Sequence, residues 1–313
     1  MIKISKIMKI LVATEKAFAP SAINQIRSIT TNAGHQLALL ENYKSTDELL
    51  SAVTDADALI VRSDSVNSQV IDAAHKLRIV VRAGAGYDNL DLDACSARNV
   101  VAMNTPGQNS NAVAELVFEL MLYYARGGFD GKSGTELRGN SIGIHAFGNV
   151  GKYVARIAMG FGMQVYVYDP FVSAETIRSS GVHACTTAEE LYSQCRYVSL
   201  HMPANDSTNN SIGLDLLSRM PDNAVLINTA RKEIINEEEL LKVFEARADF
   251  SYLADVEPDC KNVFGEKYPG RYIFTAKKMG AQTEEANINA GVAAARQIVD
   301  YFATGNEKFR LNR

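Results

Sequence analysis

The sequence is poor in the residues that would suggest a metal, a disulfide framework or a membrane. Its four cysteines, Cys95, Cys185, Cys195 and Cys260, lie far apart and form no C-x-x-C pair. That spacing argues against a zinc ribbon or a disulfide scaffold and fits reduced thiols in a cytoplasmic protein with no resident metal. No apolar run approaches the ~20 residues of a membrane span. The opening stretch "MIKISKIMKILVATEK" has lysines among its apolar residues and lacks the apolar core of a signal peptide. Net charge is −4 with no long basic run, so neither nucleic acid nor an anionic membrane is expected as a partner. A local basic pocket for a small anion stays open. Histidine is also scarce: His35, His75, His145, His183 and His201 leave the C-terminal third with none.

What is present is apolar material in short runs. Hydrophobic residues make up 47% of 313, enough for two domains with sizeable cores. The runs at 9–14, 36–41, 57–62, 77–83 and 99–104 read as five strands separated by helical patterns. Residues 1–7 read as a short extension before them. "TPGQNSNAVAELVFELMLYYARGG" then reads as one long helix, with a Thr-Pro start and a Gly-Gly stop. It is more apolar than one buried face needs, which suggests packing between domains or subunits. A second series opens at 140–148 and continues with strands at 164–169, 197–202, 224–229, 250–255 and 271–276, the last expected to be buried. A final helix spans about 283–303. Such strand–helix alternation implies parallel sheets with helices on both faces.

The second series begins "IGIHAFGNVGKYVARIAMGFGMQVYVYDP", a strand, a turn, a helix and a strand ending in an acid. That is the context of a dinucleotide fingerprint. Gly148 would let the backbone approach a pyrophosphate, and Gly151 would let helix and sheet pack closely. The helix N-terminus would supply free N–H groups. The fingerprint's first glycine is Ala146, which fits if the backbone φ there is negative. Asp169, eighteen residues past Gly151, would accept bonds from ribose hydroxyls and repel a 2′-phosphate, favouring NAD over NADP.

Further pieces carry a wider likeness: "VRS" (61–63), "RAGAGYDNLDL" (82–92), "NTPGQNSNAVAEL" (104–116), "GTELRGNSIGI" (134–144), "HMPANDST" (201–208), "NTAR" (228–231), "ADVEP" (254–258) and "MGAQTEEA" (279–286). In this order the sequence resembles the D-isomer-specific 2-hydroxyacid dehydrogenases over nearly its whole length. The resemblance implies two α/β domains with parallel sheets, a flavodoxin-like substrate domain and a Rossmann-type NAD domain, with the active site in the cleft. Residues 1–103 and 284–313 would form the substrate domain and 104–283 the NAD domain. It also implies pairing of cofactor domains in a homodimer. Longer family members add C-terminal effector domains; this sequence stops ten residues after its last helix, so no dedicated effector domain is expected.

Residue roles follow from the resemblance. Arg231 would grip the substrate carboxylate and carbonyl, a task suited to a planar bidentate cation. Lys232 and Glu233 follow it where the family usually has two glycines. NAD contacts would come from Phe147, Gly148, Asn149, Val150, Gly151, Asp169, His201, Pro203, Thr208, Thr229 and Asp255, the last holding the nicotinamide carboxamide. Backbone N–H groups of Gly84, Ala85 and Gly86 would bind the substrate carboxylate. Arg62 and Ser63 would lie near the phosphate of a small phosphorylated hydroxy acid, and Asn109 would face the same cleft. Glu257 would partner the acid/base, although its spacing from Asp255 is three residues shorter than usual.

The acid/base itself departs from the pattern. In "FTAKKMGAQTEEA" (274–286) Lys278 stands where most of the family has histidine. Lys278 would then donate a proton during reduction of the keto acid and accept one during oxidation of the hydroxy acid. A free lysine titrates near ~10.4, so work near neutrality calls for a lowered pKa. Burial and the like charges of Lys277 and Arg231 would lower it, with Glu257 opposing. Two alternatives stay open: a different D-2-hydroxy acid, such as glycerate or hydroxypyruvate, or an NAD-binding sensor without chemistry.

Overall fold

The computed structural model describes residues 6–312. The first five residues of the expected extension lie outside the described residues. The chain divides into two compact units, one from the residues up to Asn109 plus those from Thr283 onward, the other Ser110–Gln282.

The first unit alternates β1 (Lys9–Thr14), α1 (Pro20–Asn32), β2 (Gln36–Glu41), α2 (Thr46–Val53), β3 (Ala58–Val61), α3 (Ser68–Ala73), β4 (Ile79–Arg82), α4 (Leu92–Ala97) and β5 (Val101–Asn104). All pairings are parallel, in the order β2-β1-β3-β4-β5. That is the flavodoxin-like doubly wound order, with its switch point between β1 and β3. Successive strand residues serve opposite faces. Ile10, Val12, Ile60, Ile79 and Val81 join one core cluster, while Leu11, Ala13, Leu59, Val61 and Val80 join another. Both faces are apolar, which is why these strands read as unbroken apolar runs.

The second unit begins with α5 (Ser110–Ala125) and continues through β6 (Ser141–His145), α6 (Asn149–Gly160), β7 (Gln164–Tyr168), α7 (Ala174–Ser179), β8 (His183–Ala184) and α8 (Ala188–Gln194). It goes on with β9 (Tyr197–Leu200), α9 (Leu214–Leu217), β10 (Val225–Asn228), α10 (Glu237–Ala246), β11 (Ser251–Ala254), α11 (Lys261–Lys267) and β12 (Tyr272–Phe274). Its sheet order is β12-β11-β10-β9-β6-β7-β8, again all parallel. This is the Rossmann order extended by one strand, with the switch point between β6 and β9.

Two local expectations are corrected. α5 starts at Ser110, not at Thr105-Pro106, because Gly107 turns the chain with φ +86° first. Within its unit, its Ala114, Val117, Phe118 and Met121 share a cluster with Ile142, Val154 and Ala158. The strand expected at 271–276 is a three-residue edge strand, half-buried rather than buried. The two-residue β8 was not anticipated, being too short to show a period.

From Thr283 the chain returns to the first unit. α12 (Glu284–Thr304) is capped by Thr283, whose Oγ1 accepts from Ala286 N at 3.1 Å, and ends at Gly305 with φ +76°. Beyond it, Asn312 is 3% exposed and covers the β5 edge: its Oδ1 accepts from Ala102 N and its Nδ2 donates to Val100 O, both at 2.8 Å. Removing that amide leaves a buried donor and acceptor unpaired. Asn312→Ala is expected to lower unfolding free energy by about 2 kcal/mol in urea titration; an unchanged midpoint would show the edge is held by other means.

Candidate active site

In the second unit the β6–α6 turn lies at the switch point, where open parallel sheets bind ligands. Gly148 is the N-cap of α6 and supplies no side chain, whereas Ser173, Thr187, Asn236 and Thr283 each cap their helices. The first-turn N–H groups of Asn149 and Val150 therefore face outward without a side-chain cap, as a phosphate requires. Gly151 is needed for packing: a Cβ there would lie 2.3 Å from Ala146 O.

Ala146 is a correction. Its φ is +81°, not negative, so an alanine occupies a left-handed position that glycine adopts more readily. The neighbouring turn is tied down by Asp169. Its Oδ2 accepts from Phe147 N at 2.6 Å and its Oδ1 from Phe171 N at 2.7 Å. The acid expected for ribose thus also links the ends of β6 and β7.

Two other expected cofactor residues carry buried polar atoms without partners among the described residues. These are His201 Nδ1 after β9 and Thr229 Oγ1 after β10. Adjacent strands place them side by side, since Leu200 pairs with Asn228. Buried polar atoms without partners are costly, and a polar ligand at this edge would satisfy them. Thr208 closes the neighbouring loop, its Oγ1 donating to Pro203 O at 2.6 Å. The uncapped helix end, the close-approach glycine and the orphaned polar atoms together fit a dinucleotide.

The charged end of the same unit lies after β10, β11 and β12. Asn228 shapes the 228–231 turn, accepting from Ala230 N at 3.0 Å and donating to Arg231 O at 2.8 Å. Ala230 O then accepts from Arg231 Nη1 at 2.9 Å and from Lys278 Nζ at 3.4 Å. One carbonyl therefore brings the guanidinium and the ammonium together. The lysine turn is held by Asp255, which is 1% exposed. Its Oδ1 accepts from Met279 N at 2.7 Å and Thr275 Oγ1 at 3.0 Å, and its Oδ2 from Gly280 N at 2.8 Å. Sequence reasoning did not find this role, because it is made through backbone N–H groups.

Lys278 is exposed, so burial is not among its surroundings here, while the like charge of Arg231 is. Lys277 is exposed as well. Glu257, four residues before the start of α11, gives its carboxylate to Lys261 at 2.5 Å. Lys232 pairs with Asp259 at 2.6 Å, anchoring the segment where the family's two glycines are replaced.

In the first unit the expected anion residues gather at the carboxyl ends of β3 and β4. Val61 and Arg82 are register partners, so Arg62 follows directly beside Arg82. Arg82 was not singled out in the sequence. Its Nε donates to Arg62 O at 3.0 Å, and its guanidinium occupies the space a Cβ on Gly84 would fill. Gly84 has φ +152°, a backbone conformation that favours glycine, while the Arg82 fork that fills its Cβ position is the far end of a flexible side chain. Gly84 N–H donates to Arg82 O at 2.9 Å, so it is already used, whereas the amides of Ala85 and Gly86 make no such bond among the described residues. Ala85 O accepts from Asn104 Nδ2 at 2.6 Å, which fixes the loop. Ser63 is exposed, and Asn109 is half-buried just before α5.

Comparison with known proteins gives this geometry a family. Residues 114–263 match the model of the D-isomer specific 2-hydroxyacid dehydrogenase NAD binding domain. A D-3-phosphoglycerate dehydrogenase of Methanocaldococcus jannaschii is 35% identical over 269 residues, 80% of this chain and 51% of its own length. A hydroxypyruvate reductase of Thermotoga maritima is 31% identical over 283 residues, covering 84% of this chain and 90% of its own. The NAD+-bound crystal structure of an Entamoeba histolytica 3-phosphoglycerate dehydrogenase is 45% identical, with a TM-score of 0.85, covering 98% of this chain and 99% of that one. The chain belongs to the D-isomer specific 2-hydroxyacid dehydrogenase family. It spans about half the length of the curated phosphoglycerate dehydrogenases it matches, 51% and 54% for two of them.

Within this 2-hydroxyacid dehydrogenase fold, two buried histidines of the nucleotide half, His145 and His201, are neutral near pH 7. Burial pushes His145 down to about 4, opposed by Asp169; His145 Nδ1 lies 3.2 Å from the Tyr192 hydroxyl. Burial, with His145 adding to it, pushes His201 down to about 3. In the unfolded chain both titrate near ~6.5. Below that pH the unfolded state binds protons the folded state refuses, so stability is full above 6.5 and declines as pH falls towards 4. Each histidine contributes a slope of about 1.4 kcal/mol per pH unit in that window. Urea unfolding from pH 7 to pH 5 is expected to show the decline, shallower in His201→Asn. An identical slope in that variant would remove His201 from the account.

Proposed function

We propose that this chain is an NAD-dependent D-3-phosphoglycerate dehydrogenase that interconverts 3-phosphoglycerate and 3-phosphohydroxypyruvate at the entry to serine biosynthesis. The observation that carries the reading is the meeting of Arg231 and Lys278 on Ala230 O. A carboxylate-binding fork and a proton donor at one point are what reduction of a 2-keto acid needs. NAD, when bound, supplies the hydride acceptor or donor. Asn149, Val150 and Gly151 hold its pyrophosphate, Asp169 its ribose, and His201 and Thr229 its polar groups at the strand ends.

Arg231 binds the substrate carboxylate and polarises the carbonyl. In reduction, the Lys278 ammonium gives its proton to the carbonyl oxygen; in oxidation, neutral Lys278 takes the hydroxyl proton. Glu257, which sits with Lys261, acts as the counter-charge to the ammonium. Asp255 holds the lysine turn in place. The amides of Ala85 and Gly86 take the carboxylate, while Arg62, with Ser63 and Asn109, takes the phosphate. We place the enzyme in the cytoplasm as a homodimer.

A second reading is reduction of hydroxypyruvate, supported by the Thermotoga maritima relative, 90% of whose length this chain covers. A sensor without chemistry would have no use for Arg231, Lys278 and Arg62 together. Two variants separate these readings. Lys278→Ala is expected to lower kcat by roughly 100- to 10,000-fold while NADH binding, followed by fluorescence, stays in place; full turnover would end the acid/base role. Arg62→Ala is expected to raise KM for 3-phosphohydroxypyruvate by at least tenfold relative to hydroxypyruvate. An equal loss on both would mean that Arg62 does not read the phosphate.

A further inference from the structure

Arg62 is held in an unusual way for a half-buried cation. Its Nη1 donates to Lys16 O at 3.3 Å and Ala17 O at 3.4 Å, and its Nη2 donates to Asn287 Oδ1 at 2.5 Å. Its guanidinium carbon lies 5.1 Å from the centre of the Phe18 ring. Every one of these supports is neutral. Among the described residues Arg62 forms no ion pair. The nearest acid in sequence, Asp64, turns its carboxylate to Arg62 N at 3.1 Å, Glu15 N at 2.6 Å and the Tyr43 hydroxyl at 2.9 Å. The guanidinium is therefore oriented by neutral groups, and Asp64 acts on its charge through space rather than by a hydrogen bond to the fork. Of the five N–H donors of a guanidinium, the Nε–H and one Nη2–H have no partner among the described residues.

α12 supplies one of these supports directly and makes room for another. Asn287 Nδ2 donates to Thr283 O at 2.8 Å, which fixes the amide so that Oδ1 faces Arg62. Four residues on, and so on the same face of the helix, Gly291 makes room for Phe18. A Cβ there would lie 2.9 Å from Phe18 Cε1. One helix face thus carries the amide that grips the arginine and the gap that seats the ring beneath it.

We propose that Asn287 is a positioning residue for substrate selection: its neutral amide aims the Arg62 fork and keeps its charge available for the phosphate of a phosphorylated 2-hydroxy acid. The inference rests on the reading of Arg62 given above. A carboxylate at position 287 has the same shape but would form an ion pair with Arg62 and cancel the charge. A methyl group would leave Nη2 untethered. The phosphorylated substrate should feel both changes more than its unphosphorylated analogue does.

The test is steady-state NADH oxidation with 3-phosphohydroxypyruvate and with hydroxypyruvate by the full chain, its Asn287→Asp variant and its Asn287→Ala variant. The expected result is at least a tenfold fall in the ratio of kcat/KM values, phosphorylated over unphosphorylated, for Asn287→Asp. The fall should reside in KM for the phosphorylated acid, with a smaller fall in the same direction for Asn287→Ala. A general structural role would lower both acids alike and leave the ratio unmoved in both variants, and that result would overturn the inference while the phosphate reading of Arg62 stands. An unaltered chain with no preference for the phosphorylated acid, or no turnover of either, would overturn both.

Discussion

Asp255 is almost wholly buried, and its carboxylate takes three donors from one short segment: the Thr275 hydroxyl and the amides of Met279 and Gly280. Lys278 sits between those anchors. The turn that carries it follows an edge strand of only three residues, which offers little support of its own. Without the carboxylate, two backbone N–H groups would lose their partners and the lysine would have no fixed approach to Ala230 O. The acid expected to hold the cofactor thus also fixes the group expected to move the proton. Gly280 fits this arrangement closely, since a Cβ there would lie 2.9 Å from Asp255 Oδ2.

The same device recurs in the other unit. Asp64 is 4% exposed and spends its oxygens on two backbone amides and the Tyr43 hydroxyl. Burial, aided by Asp64, pushes the Tyr43 phenol well above its ordinary value, so it remains a donor. In both units a buried carboxylate organises backbone at a strand's carboxyl end, and the guanidinium groups of Arg231 and Arg62 meet carbonyl and amide oxygens. Cations supported by carbonyl and amide oxygens keep their charge for an anion, whereas carboxylate partners would quench it.

Much of the architecture was legible in the sequence because both sheet faces are buried. Runs such as Lys9–Thr14 and Val225–Asn228 need no alternation to show as strands, and periodic helices fall between them. β12 misled because its half-buried edge carries Tyr272, Ile273 and Phe274, a composition that reads as interior. Ala146 could be recognised as a departure from a glycine, but its φ of +81° depends on the turn as a whole. The place of Lys278 came from motif order, and its meeting with Arg231 required the fold, as 48 residues separate it from Ala230. Asn287 lies 225 residues from Arg62, and nothing local to either announces the other. Arg82 stood inside a quoted motif, yet its stacking on Gly84 is a property of side-chain direction that sequence spacing does not reveal.

The most direct test of the account is the initial rate of NADH consumption with 3-phosphohydroxypyruvate across a pH series, beside hydroxypyruvate. Turnover is expected to favour the phosphorylated acid and to fall on the alkaline side as Lys278 loses its proton, with that limb absent in Lys278→Ala. Preference for hydroxypyruvate, or an alkaline limb unchanged by the lysine substitution, would contradict it.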